Sequence, residues 1–228
     1  MIQKKKKITK KELKQDTLFT FIGNAETFIE KHKNRLLAYA GIIVVIAAAV
    51  YFYLNHKAEN NEKAGLELSR VMSLYDKGAY LEAIEGKQGS NIMGLKKIVA
   101  EYDGTENGET AKIYLANSYA FLGNYDEAIK YYEDYSGSID YFKAAALAGR
   151  AGYSASKQDY EKAADLYLEA SRISGINAQN PDYLLNAGIY YLKTGNKEEA
   201  KVLFNKIKDE YTTSIAYREV DKYLALIN

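Results

Sequence analysis

Nineteen consecutive residues, Leu36–Leu54 (LLAYAGIIVVIAAAVYFYL), carry no charge, no Asn, no Gln and no Pro. As a helix at ~1.5 Å per residue they reach roughly 28 Å, close to the ~30 Å hydrocarbon thickness of a bilayer. A helix satisfies its own backbone hydrogen bonds, so such a run can lie in lipid where an irregular segment cannot. Lys31, Lys33 and Arg35 flank one end, and Tyr51, Phe52, Tyr53, His56 and Lys57 mark the other. Basic and aromatic residues occupy these places at a membrane interface. A buried core helix is the competing reading, but core helices are usually shorter and amphipathic.

The run divides an unequally charged chain. Met1–Arg35 holds ten Lys and Arg against four Asp and Glu, a net +6; the residues after Leu54 hold 21 against 26, a net −5. Basic residues beside a span stay in the cytoplasm, which predicts an internal arm and an external C-terminal part. The organisation predicted is a basic cytoplasmic arm at 1–35, a transmembrane helix at 36–55 and a periplasmic domain at 56–228. That last segment is long enough for its own core. Its acidic balance argues against a nucleic-acid partner. The absence of Cys removes disulfides, thiolate nucleophiles, thiolate metal sites and a lipidated cysteine. A cleavable signal peptide is disfavoured, because a 35-residue arm precedes the run and no small-residue cleavage site closes it.

Met1–Lys14, with seven lysines, reads as a disordered basic tail that can lie against anionic lipid. In Asp16–Lys33, Leu18, Ile22, Ala25 and Ile29 recur at helical spacing, with Asp16 as a candidate cap. This predicts a short amphipathic helix on the bilayer or on a membrane partner. Beyond the span, Glu59–Asp76 carries a further helical pattern that Gly78 breaks, and Tyr80–Ile84 starts another. Gly86–Asn91 reads as a loop, Ile92–Tyr102 as apolar again, and Asp103–Gly108 as a polar turn. No strand pattern follows.

The remaining helical patterns repeat. Leu115, Ala116 and Tyr119 precede Gly123, Tyr125, Ala128 and Tyr132; Ala187, Gly188 and Tyr191 precede Gly195, Ala200 and Phe204. Between them Ala151, Tyr160, Ala163, Tyr167 and Ala170 fall in the same frame, so Ala128, Ala163 and Ala200 lie 35 and 37 residues apart. Small residues at two fixed sites let helix backbones approach, and the large ones fill the groove beside them. The pattern resembles the tetratricopeptide repeat (TPR), a helix-turn-helix of about 34 residues. The middle unit is weaker, with Arg150 and Ser154 at apolar places. An earlier, degenerate unit fits Gly78, Tyr80 and Ala83 if about eleven residues are inserted around Gly86–Asn91. Thr212–Asn228, with Ile215, Val220, Tyr223, Leu224 and Ile227 on one face, suits a terminal cap. The fold class expected is all-α: one N-terminal transmembrane helix, a TPR-like solenoid and a C-terminal capping helix. The 22 tyrosines are then mainly packing residues.

The whole layout is similar to the single-pass ancillary TPR subunits of the bacterial SecYEG translocon. That resemblance implies an inner-membrane protein whose partners are translocating chains, chaperones or translocon subunits, together with membrane lipid. A scaffold or tether of an envelope complex, with no client binding, is the alternative.

Catalysis finds little support. His32 and His56 flank the span at opposite ends, and no HExxH or Gly-rich phosphate loop is present. No enzyme activity, cofactor, metal or small-molecule substrate is therefore expected. In TPR proteins the first helix of each pair lines the concave face. Counted in that frame, the candidate peptide-binding residues are Ile113, Tyr114, Asn117 and Phe121, then Asn186 and Ile189, beside Ala120, Ala148, Gly149, Gly152, Leu185 and Lys193. The family's carboxylate clamp needs several Lys, Arg and Asn there, and only Asn117 and Asn186 qualify. The face suits an extended or helical peptide with bulky side chains. Alternatively these residues pack on a neighbouring helix such as Glu59–Asp76.

Overall fold

A computed structural model describes residues 10–227, with side chains from Asn24 onward apart from Ala25 and Glu26. Among these residues the chain is all-helical, with no strand and one isolated bridge between Gly86 and Met93. It divides into two compact units, Met1–His56 and Lys57–Asn228. Residues 1–9 of the basic tail, and the side chains of Leu18, Ile22 and Ala25, lie outside the described residues.

The first helix, α1, spans Lys10–Tyr75. Three helical segments expected from sequence are thus one element. Lys10–Lys14 is helical rather than part of a tail, and Asp16 lies inside the helix and does not cap it. In the first unit every residue of Leu36–Leu54 is exposed, including Ile43, Val44 and Val45 at 66–68%. With a mean hydropathy of 2.3, the stretch is long and apolar enough to cross a membrane. Phe28 and Ile29, on the segment before it, are more than half exposed as well.

The second unit is built from short-turned helix pairs. The last turns of α1 lead into α2 (Tyr80–Glu85), and α3 (Leu95–Glu101) follows a loop closed by the Gly86–Met93 bridge. Three pairs come next: α4 (Glu106–Phe121) with α5 (Tyr125–Asp134), α6 (Asp140–Ser156) with α7 (Tyr160–Ala170), and α8 (Asn180–Thr194) with α9 (Lys197–Glu210). The last helix, α10 (Ile215–Leu224), packs on α8 and α9.

The repeat frame is visible in the backbone. Gly78, Gly123 and Gly195 each stand five residues before the small residue of the second helix, at φ of 73°, 78° and 85°. The left-handed conformation there costs glycine nothing and turns the chain sharply. In the middle pair the same place is held by Gln158, at φ 64°. The small residues are buried as the frame requires: Ala116, Ala151, Ala163 and Ala200 are fully enclosed and Ala128 nearly so. Gly188 is needed as glycine, since a Cβ there would stand 2.4 Å from the Phe204 ring.

The core is a row of clusters, as expected where each pair buries its face only against its neighbours. Leu68, Val71 and Leu74 of α1 pack with Ala83, Ile84, Leu95, Ile98, Ala111 and Leu115. Leu184, Leu203, Phe204, Ile207, Ala216 and Val220 close the other end. The α1–α4 approach is fixed by two bonds that Asn107 donates to Asn61: its N–H to Asn61 Oδ1 at 2.8 Å, and its Nδ2 to Asn61 O at 2.9 Å. Two boundaries differ from the sequence reading. Thr105 Oγ1 accepts from the Gly108 amide at 3.0 Å, so α4 starts inside the expected polar turn. On α10 the buried residues are Ala216 and Val220, whereas Ile215 is 67% exposed. Ser214 caps the helix and so fixes its rotation.

Candidate functional site: an aromatic groove

Two hollows open between the helices of the second unit, the first lined mainly by the first helices of the pairs and the second by first and second helices alike. One, of about 520 Å³, is walled by Met72, Tyr75, Tyr114, Phe121, Tyr141 and Phe142, with Asn117 and Gln179 as polar members. The other, of about 470 Å³, is walled by Tyr125, Tyr153, Tyr160, Tyr167 and Tyr190, with Lys193 at its edge. Both use Tyr132, Ala148 and Gly149. Gly149 is essential to this shape, because a Cβ there would meet the Tyr132 ring at 2.3 Å.

The rings of the first hollow support one another. Tyr75 meets Tyr114 edge-on at 5.0 Å, Phe121 stacks on Tyr80 at 4.6 Å, and Phe142 meets Tyr114 and Tyr141 at 6.0 and 5.3 Å. Phe121 remains 62% exposed and Tyr141 47%. The polar groups are oriented. Tyr132 Oη donates to Asn117 Oδ1 at 2.6 Å, so Nδ2 is the end of Asn117 that donates, and the Tyr75 hydroxyl is one partner. Gln179 Nε2 donates to Tyr141 Oη at 3.2 Å, and its Oε1 accepts from the Tyr183 hydroxyl. Burial pushes the Tyr183 and Tyr167 hydroxyls up to about 12, so both are neutral donors at physiological pH.

Of the residues expected from sequence, Ile113, Tyr114, Asn117 and Phe121 come together in this hollow. Ile113 is almost fully buried and forms floor, not rim. Asn186 and Ile189 line neither hollow. The Asn186 amide donates to Asp182 O on its own helix, and Ile189 packs against the α8–α10 core. The sequence-based face omits Met72, Tyr75 and Asp76, yet the signal was available. They stand 11, 8 and 7 residues before Ala83, as Asn117, Ala120 and Phe121 stand before Ala128. The last turns of α1, with Asp76 just beyond them, thus supply one wall and leave the hollow open. Tyr125 and Tyr141, 46% and 47% exposed, are tyrosines that line these hollows and do not fill the core.

Buried charge is concentrated elsewhere. Lys112 Nζ reaches Glu109, Asp103 and Asp134, each at 2.8 Å. Lys112 and Glu109 are 3% and 4% exposed, and Glu109 Oε2 also accepts from the Ser136 amide at 2.7 Å. Burial alone would lower the ammonium's pKa; the bonds to Asp103, Asp134 and Glu109 outweigh it and hold the group above its ordinary value. This cluster ties the α3–α4 turn and the α5–α6 connection to α4.

Family profiles of the tetratricopeptide repeat match residues 112–137, from α4 through α5 into the connection after it, and residues 182–214, covering most of α8 and all of α9. The second unit carries tetratricopeptide repeats. Neither match covers the middle pair, where Arg150 and Ser154 depart from the pattern and Gln158 replaces the turn glycine. No curated protein and no solved structure matches the chain. The TPR is a protein-interaction fold, not an enzyme fold, so the second unit is a module for binding protein partners.

Proposed function

We propose that this TPR protein is a single-pass protein of the bacterial cytoplasmic membrane that holds segments of other proteins as they cross the membrane or fold beyond it. The +6 arm stays in the cytoplasm, 36–55 spans, and the repeat domain 56–228 stands on the periplasmic side. The single observation that supports client holding is the open aromatic groove, with Phe121 62% exposed on rigid helices. Exposed aromatic anchors in a preformed hollow bind varied bulky side chains without a fixed sequence. A groove of this kind, tethered close to a membrane by sequence, meets a chain while its apolar residues are still uncovered.

The test replaces Phe121 with a photoreactive phenylalanine analogue in living cells, followed by pulse-labelling of newly made proteins. Client holding predicts short-lived adducts with exported chains, and their loss during a chase. Adducts of fixed composition that persist through the chase would favour the scaffold reading. A reporter fused after Asn228 should be active only when exported, and activity in the cytoplasm would overturn the orientation.

A further inference from the structure

Asp76 is the one charged side chain among the residues lining the larger hollow. It is exposed, immediately after the last turn of α1, and none of the ion pairs among the described residues includes it. Four rings gather at the same end. Tyr75 meets Tyr80, Tyr114 and Phe121 edge-on at 5.5, 5.0 and 6.4 Å, and Tyr80 stacks on Phe121. Aromatic faces carry partial negative charge, and an unpaired carboxylate beside them adds a full one. Burial raises the Tyr75 and Tyr114 pKa values, and the Asp76 carboxylate adds to the rise in both, so its field reaches into the ring cluster. An anion is repelled from this corner and a cation is attracted.

The other hollow is the opposite. Lys193 Nζ lies over the Tyr160 and Tyr190 rings at 4.7 and 5.1 Å, so a cation is already in place there. The two hollows therefore differ in charge, negative beside Asp76 and positive beside Lys193. The residues after Leu54 also carry a net −5, which complements a basic partner.

We propose that the Asp76 end of the groove is a subsite for a Lys or Arg side chain of an extended partner segment. The cation sits between the Asp76 carboxylate and the faces of Tyr75, Tyr80 and Phe121. Its aliphatic stem lies along the rings, as such stems do on apolar surface. Neighbouring apolar side chains of the segment rest on Tyr114 and Phe142, and the Asn117 amide donates to a peptide carbonyl. The length of the groove and the Asn117 donor favour a peptide over a lipid headgroup, which would use only the Asp76 corner. This rests on the groove being a peptide site.

The test is selection from a displayed library of random decapeptides against the full chain in an uncharged maltoside detergent, with Asp76→Asn and Phe121→Ala in parallel. The wild type should enrich peptides with Lys or Arg flanked by apolar or aromatic residues. Asp76→Asn should lose the basic preference and keep the apolar one, with affinity for a selected lysine peptide falling about fivefold to thirtyfold. Phe121→Ala should weaken all selected peptides. Apolar enrichment without a basic preference, unchanged by Asp76→Asn, would overturn the cation subsite and leave the groove standing. No enrichment, or enrichment indifferent to Phe121→Ala, would overturn both. Asp76-dependent binding of phosphatidylcholine vesicles, or Asp76-dependent dimerisation, with no basic peptide enriched would overturn the peptide assignment in favour of a headgroup or a second copy.

Discussion

Gly188→Ala adds one methyl group at a tight helix crossing near the end of the repeat array. The new Cβ would stand 2.4, 2.8 and 3.0 Å from Cε1, Cζ and Cδ1 of Phe204. Phe204 is fully buried and stacked on Tyr223 at 5.6 Å, so the ring has nowhere to withdraw and the helices must part. Overpacking of this kind costs typically ~1–3 kcal/mol, against a gain of about 1 kcal/mol from replacing a helical glycine by alanine. Gly152→Ala on α6 is the internal control. There a Cβ meets only the Tyr167 hydroxyl, at an ordinary 3.7 Å, so the helix-propensity gain should stand alone. The two variants should differ by about 2 kcal/mol, or roughly 4–8 °C in melting temperature for a domain of this size. Thermal melts of the full chain in detergent, followed by far-UV circular dichroism, measure this. Equal melting temperatures, or a lower one for Gly152→Ala, would refute the helix crossing described here.

Lys112→Met should cost about 3–5 kcal/mol, because it strands Glu109 in the interior, and Lys112→Met with Glu109→Leu should recover most of that loss; urea titrations of the two variants check it. Gln158→Gly should stabilise the chain by up to about 1 kcal/mol by relieving a side chain held at φ 64°, read as a higher melting temperature. Tyr167 and Tyr183 are pushed up to about 12 by burial, above the ~10 of an unfolded chain. The fold favours their neutral form, so this stabilisation is complete below about pH 10 and is lost as pH rises towards 12. Alkaline unfolding in that window, with late-titrating tyrosines in the ultraviolet spectrum, is the expected result.

The repeat frame was legible because it is written in residue size and backbone tolerance. Only small residues fit at Ala128, Ala163 and Ala200, and glycine marks three of the four left-handed turns. Gln158 hid the fourth, since glutamine carries no sign of the conformation its neighbours impose. The buried ion cluster was not legible either. Lys112 and Glu109 stand three residues apart on a helix, which is the ordinary pattern of a solvated face. They are buried because the turn carrying Asp103, the end of α5 at Asp134 and the connection carrying Ser136 fold over them, and those lie far apart in sequence. Half of the groove could be counted from the first full repeat. The other wall came from Tyr75 and Met72, on the degenerate first unit, whose turn and second helix are legible at Gly78, Tyr80 and Ala83 but whose concave face the sequence-based count omits. Asn186 and Ile189 occupy the right places in the frame, but the array ends there and α10 packs on α8.

Phe121→Ala tests the central claim, that this face binds protein segments. The side chain is 62% exposed and its main support is the stack on Tyr80, so the melt should lose no more than about 1.5 kcal/mol of stability. Capture of a selected peptide should fall about thirtyfold, the loss of roughly 2 kcal/mol expected for an aromatic anchor. Unchanged capture with unchanged helicity would contradict the account.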